Sequence, residues 1–267
     1  MATTNYKQKS KEARLKVLEM IHKAGTSHIA SNFSIIDTAV VLYENLKLGD
    51  KVVWSKGWVS ATIYYFLAQQ GKIPKEDLNL FGKEIEMHPN TGKIVKYLGL
   101  AETNIPGVLC NGGSMGHGLP IACGMALAKK LNNEPGIVYC IMSDGEMNEG
   151  TTWESAAFAA QHNLDNLVVI IDKNKWQAMG KTRDILNIDL KSVFRSFKWF
   201  VYDIDGHNFD EIEGSINNSY YVQKPSVIIA RTIKGKGVHF MTDNLIYHYK
   251  HIDEHEYYVA RNELNNA

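Results

Sequence analysis

GIVYCIMSDGEMNEGTTWE, residues 136–154, and NLVVIIDKNKW, residues 166–176, decide how this chain folds. In each, an unbroken apolar run, Ile137–Met142 or Leu167–Ile171, stops at a polar turn. The first turn carries Ser143-Asp144-Gly145 and the second Asp172-Lys173-Asn174. A strand with one wet face alternates apolar and polar residues; these do not alternate, so both faces are covered, as in a parallel sheet. Thr152–His162 reads as the helix between them. Phe200–Ile204 and Ser226–Ala230 are two further strand candidates. Strands exchanging with helices in this order predict an α/β fold, a parallel sheet with helices on both faces. Ligands of such sheets sit beyond the carboxyl ends of the strands. Asp144 and Asn174 both fall there.

Upstream, residues 8–24 carry Leu15, Val17, Leu18 and Ile21 at helical spacing, with Gly25 as a stop signal. A second helix is expected over roughly 34–46, with Ser34 and Asp37 arranged like a capping box. Ser60–Gln70 reads as a third, closed by Gly71. After a Gly-rich stretch, Leu119–Leu131 is apolar and Ala-rich, which suits a buried helix. A polar helix ends the chain. No repeat, low-complexity tract or linker breaks the sequence, so residues 1–267 are expected to form a single domain.

Hydrophobic content of 45% and charged content of 22% fit a soluble chain with a substantial core. Lys+Arg and Asp+Glu balance at 29 each, so no basic excess points to nucleic acid. The polar N-terminus lacks the apolar core of a signal peptide. No apolar run approaches the roughly 20 residues that span a bilayer. Cys110, Cys123 and Cys140 are odd in number and lack metal-ligand spacing, and read as reduced, buried thiols. A cytoplasmic location is expected.

The strand-end residues suit a diphosphate held through Mg²⁺, which takes a few hard oxygen ligands and completes its shell with phosphate oxygens and water. Asp144 offers a carboxylate, Asn174 an amide oxygen, and the backbone carbonyl of Trp176 a third ligand. Gly145 lets the backbone come close to a phosphate, and the following helix offers free N–H groups. Taken alone such a DG…N pair is weak, because turns favour these residues.

Here the sequence resembles the transketolase family. Ser143-Asp144-Gly145-Glu146 followed by Asn174 is similar to the thiamine diphosphate motif, with Ser143 in place of the usual first glycine. The run 144–154 resembles transketolase N-terminal halves closely, as does Leu164-Asp165-Asn166-Leu167. Ser55-Lys56-Gly57, residues 113–118 (Gly-Ser-Met-Gly-His-Gly), Asp205-Gly206-His207 and Lys234-Gly235-Lys236-Gly237-Val238 add to it, so that it spans about residues 12–255. The resemblance implies thiamine diphosphate and Mg²⁺, with Ca²⁺ as a possible substitute, held by Gly113, Ser114, Met115, Asp144, Gly145, Glu146 and Asn174. It implies Asp144, Asn174 and Trp176 as metal ligands, and Met115 as the apolar wedge that bends the cofactor. It also implies that His28, His88 and His248 line the substrate channel, where histidines bind sugar hydroxyls and relay protons. Glu149 and Glu154 resemble acids near the family's dimer seam. One position departs: the family's Ser-Lys-Gly-His is Ser55-Lys56-Gly57-Trp58. Tryptophan has one donor and takes no proton, so a changed substrate, a substitute such as His117, or reduced activity is expected.

In the family, an essential glutamate belongs to a separate pyrimidine-binding domain that this chain has no room for. A partner chain is therefore expected to supply it, in an α2β2 assembly, moving a two-carbon ketol unit between sugars or sugar phosphates. The alternatives are an α subunit of a 2-oxo acid dehydrogenase or acyloin-forming enzyme, and a non-catalytic degenerate half. A dinucleotide site fits least, because residues 113–118 do not join a strand to a helix with an acid about 20 residues on.

Overall fold

A computed structural model of the chain describes residues 5–85 and 95–267. The chain divides into two compact units. Met1–Ile36, Gly57–Gly113 and Lys234–Ala267 form the first; Asp37–Lys56 and Ser114–Ile233 form the second. The helices are α1 (Tyr6–Ala24), α2 (Ile29–Asn45), α3 (Ser60–Gln69), α4 (Gly118–Leu131), α5 (Gly150–Gln161), α6 (Leu190–Ser196), α7 (Phe209–Ser219) and α8 (Glu254–Asn266), besides single turns.

The second unit holds the main sheet. Its strands are β1 (Lys51–Trp54), β2 (Val138–Ser143), β3 (Leu167–Lys173), β4 (Phe200–Asp205) and β5 (Ser226–Arg231). They pair in the order β1-β2-β3-β5-β4, every pairing parallel. β2 is buried at all six positions and β3 at all but its last, as the missing alternation requires. Each fully buried Val, Ile or Leu there contributes about 1.5–3 kcal/mol relative to exposure. α4 packs on β1, β2 and β3 as well as on α5, while α6 and α7 pack on β4.

Register is what assembles a site. Ser143 pairs with Asp172, and Asp172 with Ala230. Ser55 and Lys56 follow β1, Asp144 follows β2, Asp172 and Asn174 end β3, and Thr232 follows β5. Four neighbouring strands thus deliver polar residues to one end of the sheet.

In the first unit α1 packs on α3 and α8. Asn5 caps α1 by accepting from Gln8 N at 3.0 Å, and Gly25 closes it at φ +61°, the left-handed stop that glycine adopts without cost.

Two expectations need correction. The second helix begins at Ile29, not near Ser34. Ser34 lies inside it, fully buried, and its hydroxyl donates to Ser31 O at 3.0 Å rather than capping anything. The start is set instead by His28, whose φ of +68° breaks the helical path. The strands expected from sequence also lacked β1, whose four residues are too short a run to announce themselves.

Candidate active site

β2 ends at Ser143, which caps a 3-10 turn over Asp144–Asn148. Ser143 Oγ accepts from Glu146 N at 3.3 Å, and Glu146 Oε2 accepts from Ser143 N at 2.8 Å, a reciprocal capping box. The tight turn holds Asp144 at the mouth of the strand, only 2% exposed. Asp144 Oδ2 accepts from Lys175 N at 2.9 Å and Thr182 Oγ1 at 3.0 Å. Its Oδ1 is buried with no hydrogen-bond partner. Burial, and after it the charge of Asp172, push the Asp144 carboxyl up to about 6. A bare carboxylate oxygen in such a place is costly, and a cation would remove that cost.

Asn174 is buried just past the end of β3. Its Oδ1 accepts from Trp176 N at 3.0 Å, and its Nδ2 points at Asp172 Oδ2 at 3.4 Å. Lys175, at φ +70°, turns the chain between them, and Trp176 opens a two-residue ladder with Gly180–Lys181. Asp172 is itself fully buried and bonded to Lys56 Nζ and Thr232 Oγ1. Sequence reading missed Asp172, Thr182 and Thr232 and used Lys56 only as part of a motif. The signal available was the clustering of polar residues directly after apolar runs.

Glu146, fully buried, has its carboxylate engaged by Ser55 Oγ, by Gly116 N at 3.2 Å, and by Ser143. Burial raises its pKa. It ties the glycine loop to the strand ends. Gly116 has φ +75°, and a Cβ there would lie 2.5 Å from Thr151 Oγ1 and 2.7 Å from Glu149 Cβ. Gly118 N donates to Ser55 Oγ at 3.1 Å. Ser114 and Met115 are exposed in the same unit, and His117 is exposed with Nδ1 3.1 Å from Met115 O. Gly145 sits beside Gln177. The second unit holds Ser114, Met115, Asp144, Gly145, Glu146, Asn174 and Trp176, and Glu146 joins Gly116 to the end of β2.

Gly113 belongs to the first unit, as do His28 and His248. His28 N donates to His248 O at 3.0 Å, and the two rings lie 5.0 Å apart. Lys234 Nζ lies 2.8 Å from His248 Nδ1. The lysine is fully buried, while Lys236 is half-buried and Gly237 exposed. Trp58 is half-buried in this unit. His88 falls outside the described residues. Glu149 is half-buried and Glu154 exposed. Among the described residues no cluster of three or more His, Cys, Asp or Glu forms a metal site.

The family model for the transketolase thiamine diphosphate binding domain matches residues 6–265. The chain belongs to this family. Among its relatives, the 6-deoxy-6-sulfo-D-fructose transketolase subunit SqwG of Clostridium sp. (strain MSTE9) is 35% identical, over 94% of this chain and 93% of that one. An apulose-4-phosphate transketolase subunit from Actinobacillus succinogenes is 33% identical, over 97% of this chain and 94% of its own. The crystal structure of transketolase from Campylobacter jejuni subsp. jejuni superposes with a TM-score of 0.89 at 27% identity, covering 99% of this chain and 43% of that one. This family member thus spans under half the length of the single-chain enzyme and nearly all of the two proteins named as subunits.

Proposed function

We propose that the chain is the diphosphate-binding subunit of a thiamine diphosphate- and Mg²⁺-dependent transketolase. With a separate pyrimidine-binding partner it would move a two-carbon ketol unit from a ketose or ketose phosphate to an aldose. The observation that carries this reading is Asp144 Oδ1, buried and without a partner, close to Asn174 at the carboxyl ends of β2 and β3. Asp144, the Asn174 amide oxygen and the Trp176 carbonyl make a hard, all-oxygen donor set of the kind Mg²⁺ takes together with phosphate oxygens and water. Gly145 and the loop Gly113, Ser114 and Met115 would lie along the diphosphate, with Glu146 holding that loop from behind. Bound thiamine diphosphate supplies a nucleophilic carbon and an electron sink for the cleaved two-carbon unit. His28, His88 and His248 would bind sugar hydroxyls and exchange protons with them.

One family model runs through both compact units, which supports treating them as one functional domain. The relatives named as subunits support a partner chain. An α2β2 assembly is the arrangement proposed, since two-fold closed assemblies predominate. No helix among the described residues is long and apolar enough to cross a membrane, in keeping with a cytoplasmic enzyme. The deciding experiment co-expresses the chain with a pyrimidine-domain partner and assays ketol transfer with thiamine diphosphate and Mg²⁺. Decarboxylation of 2-oxo acids without ketol transfer would replace this reading with that of a 2-oxo acid enzyme. Absence of metal-dependent cofactor binding would leave a non-catalytic half.

A further inference from the structure

Lys56 and Asp172 form an ion pair in which both side chains are essentially inaccessible, 1% and 0% exposed. Buried ion pairs seldom add stability over an apolar pair of the same size, so this one invites a functional explanation. Asp172 is placed to matter. Its Oδ2 faces Asn174 Nδ2 at 3.4 Å, and it pairs in register with Ser143, the neighbour of Asp144. Its Oδ1 is held by Thr232 Oγ1. Two carboxylates thus lie near one cation position, and only one of them is neutralised by a lysine.

Ligand charge count tunes how tightly an oxygen site holds a divalent cation. A site with two uncompensated carboxylates holds the bare ion well and repels the diphosphate that should share it. A site with one net charge leaves the ion enough positive character to capture the diphosphate. We infer that Lys56 cancels Asp172 so that the strand-end site carries a single net carboxylate charge, and therefore binds cation and diphosphate jointly rather than the cation alone. This rests on the proposed reading of Asp144 and Asn174 as cation ligands. Lys56 is here a positioning residue, acting through Asp172 and touching neither ion.

The test uses the full chain, with Mn²⁺ binding followed by electron paramagnetic resonance and thiamine diphosphate binding by calorimetry at saturating Mn²⁺. Lys56→Met should bind Mn²⁺ alone about tenfold tighter and thiamine diphosphate about tenfold weaker, as expected for one unscreened charge nearby. Lys56→Arg should stay close to the unsubstituted chain. The double variant Lys56→Met/Asp172→Asn removes both charges and keeps an amide oxygen for Asn174; it should return both affinities to within about threefold. A loss of both affinities together in Lys56→Met, or a double variant as impaired as the single, overturns the inference and leaves the pair a packing element. If Lys56→Met fails to fold, the double variant against the unsubstituted chain decides alone. Failure of the unsubstituted chain, assembled with its pyrimidine-binding partner, to bind Mn²⁺ with thiamine diphosphate would instead sink the functional reading beneath it.

Discussion

Lys234 Nζ and His248 Nδ1 lie 2.8 Å apart, with the lysine fully buried. An ammonium group only donates, so with Lys234 charged Nδ1 accepts and the His248 proton sits on Nε2. The backbone N of His28 is tied to the carbonyl of the same histidine. A charged lysine there would give His248 one tautomer.

That arrangement predicts the kinetics of two variants. His248→Ala should lower kcat/KM for ketol transfer by about 100-fold or more, the usual worth of a proton-handling side chain. Lys234→Met should lower it by about tenfold, because the imidazole stays but its tautomer is released. Steady-state assays of the assembled enzyme check both; unchanged kcat/KM in His248→Ala would remove His248 from the site, and in Lys234→Met would show that the lysine does not set its tautomer.

Asp144→Asn keeps the shape of the side chain and removes its charge. Thiamine diphosphate with Mg²⁺ should raise the Tm of the unsubstituted chain, since a ligand that binds only the folded state stabilises it. The variant should lose most of that rise. Its Tm without ligand should be equal or higher, because a buried carboxylate with a bare oxygen has been removed. Differential scanning fluorimetry reads both.

Gly116→Ala forces a Cβ into Thr151 and Glu149 at a residue with φ +75°. The expected cost is about 1–3 kcal/mol, read as a lower denaturation midpoint, with weaker cofactor binding because the glycine loop shifts off Glu146. A midpoint within error of the parent would show the loop to be pliant.

Burial pushes the Cys123 thiol up to about 12. The thiolate is the reactive form, so iodoacetamide at pH 8 should leave Cys123 unmodified in the native chain and label it after unfolding in denaturant. Mass spectrometry of the peptide settles this.

The sheet was legible where a buried apolar run is long, as in β2 and β3. Ile137–Met142 and Leu167–Ile171 are apolar throughout because helices and neighbouring strands leave no wet face, and their ends mark Asp144 and Asn174 directly. β1 was not legible, since four residues carry too little pattern. The start of α2 was hidden because a positive φ at His28 is set by tertiary contacts, while Ser34 looks like a cap and bonds backwards instead. Asp172 escaped notice for a related reason. Its meaning depends on Lys56, which reaches it only because β1 and β3 flank the same strand.

The first unit is assembled from three separated stretches of chain, and α1 rests on α8. His22 stacks on Tyr257 at 4.3 Å and its Nε2 meets Glu254 at 3.0 Å. Contacts so distant in sequence form late and slowly. During synthesis, then, α1 emerges long before α8, and the part of its surface not covered by α3 waits for it. A ribosome stalled before residue 254 would leave that surface open to chaperones, and tags fused close to α8 will be felt at α1.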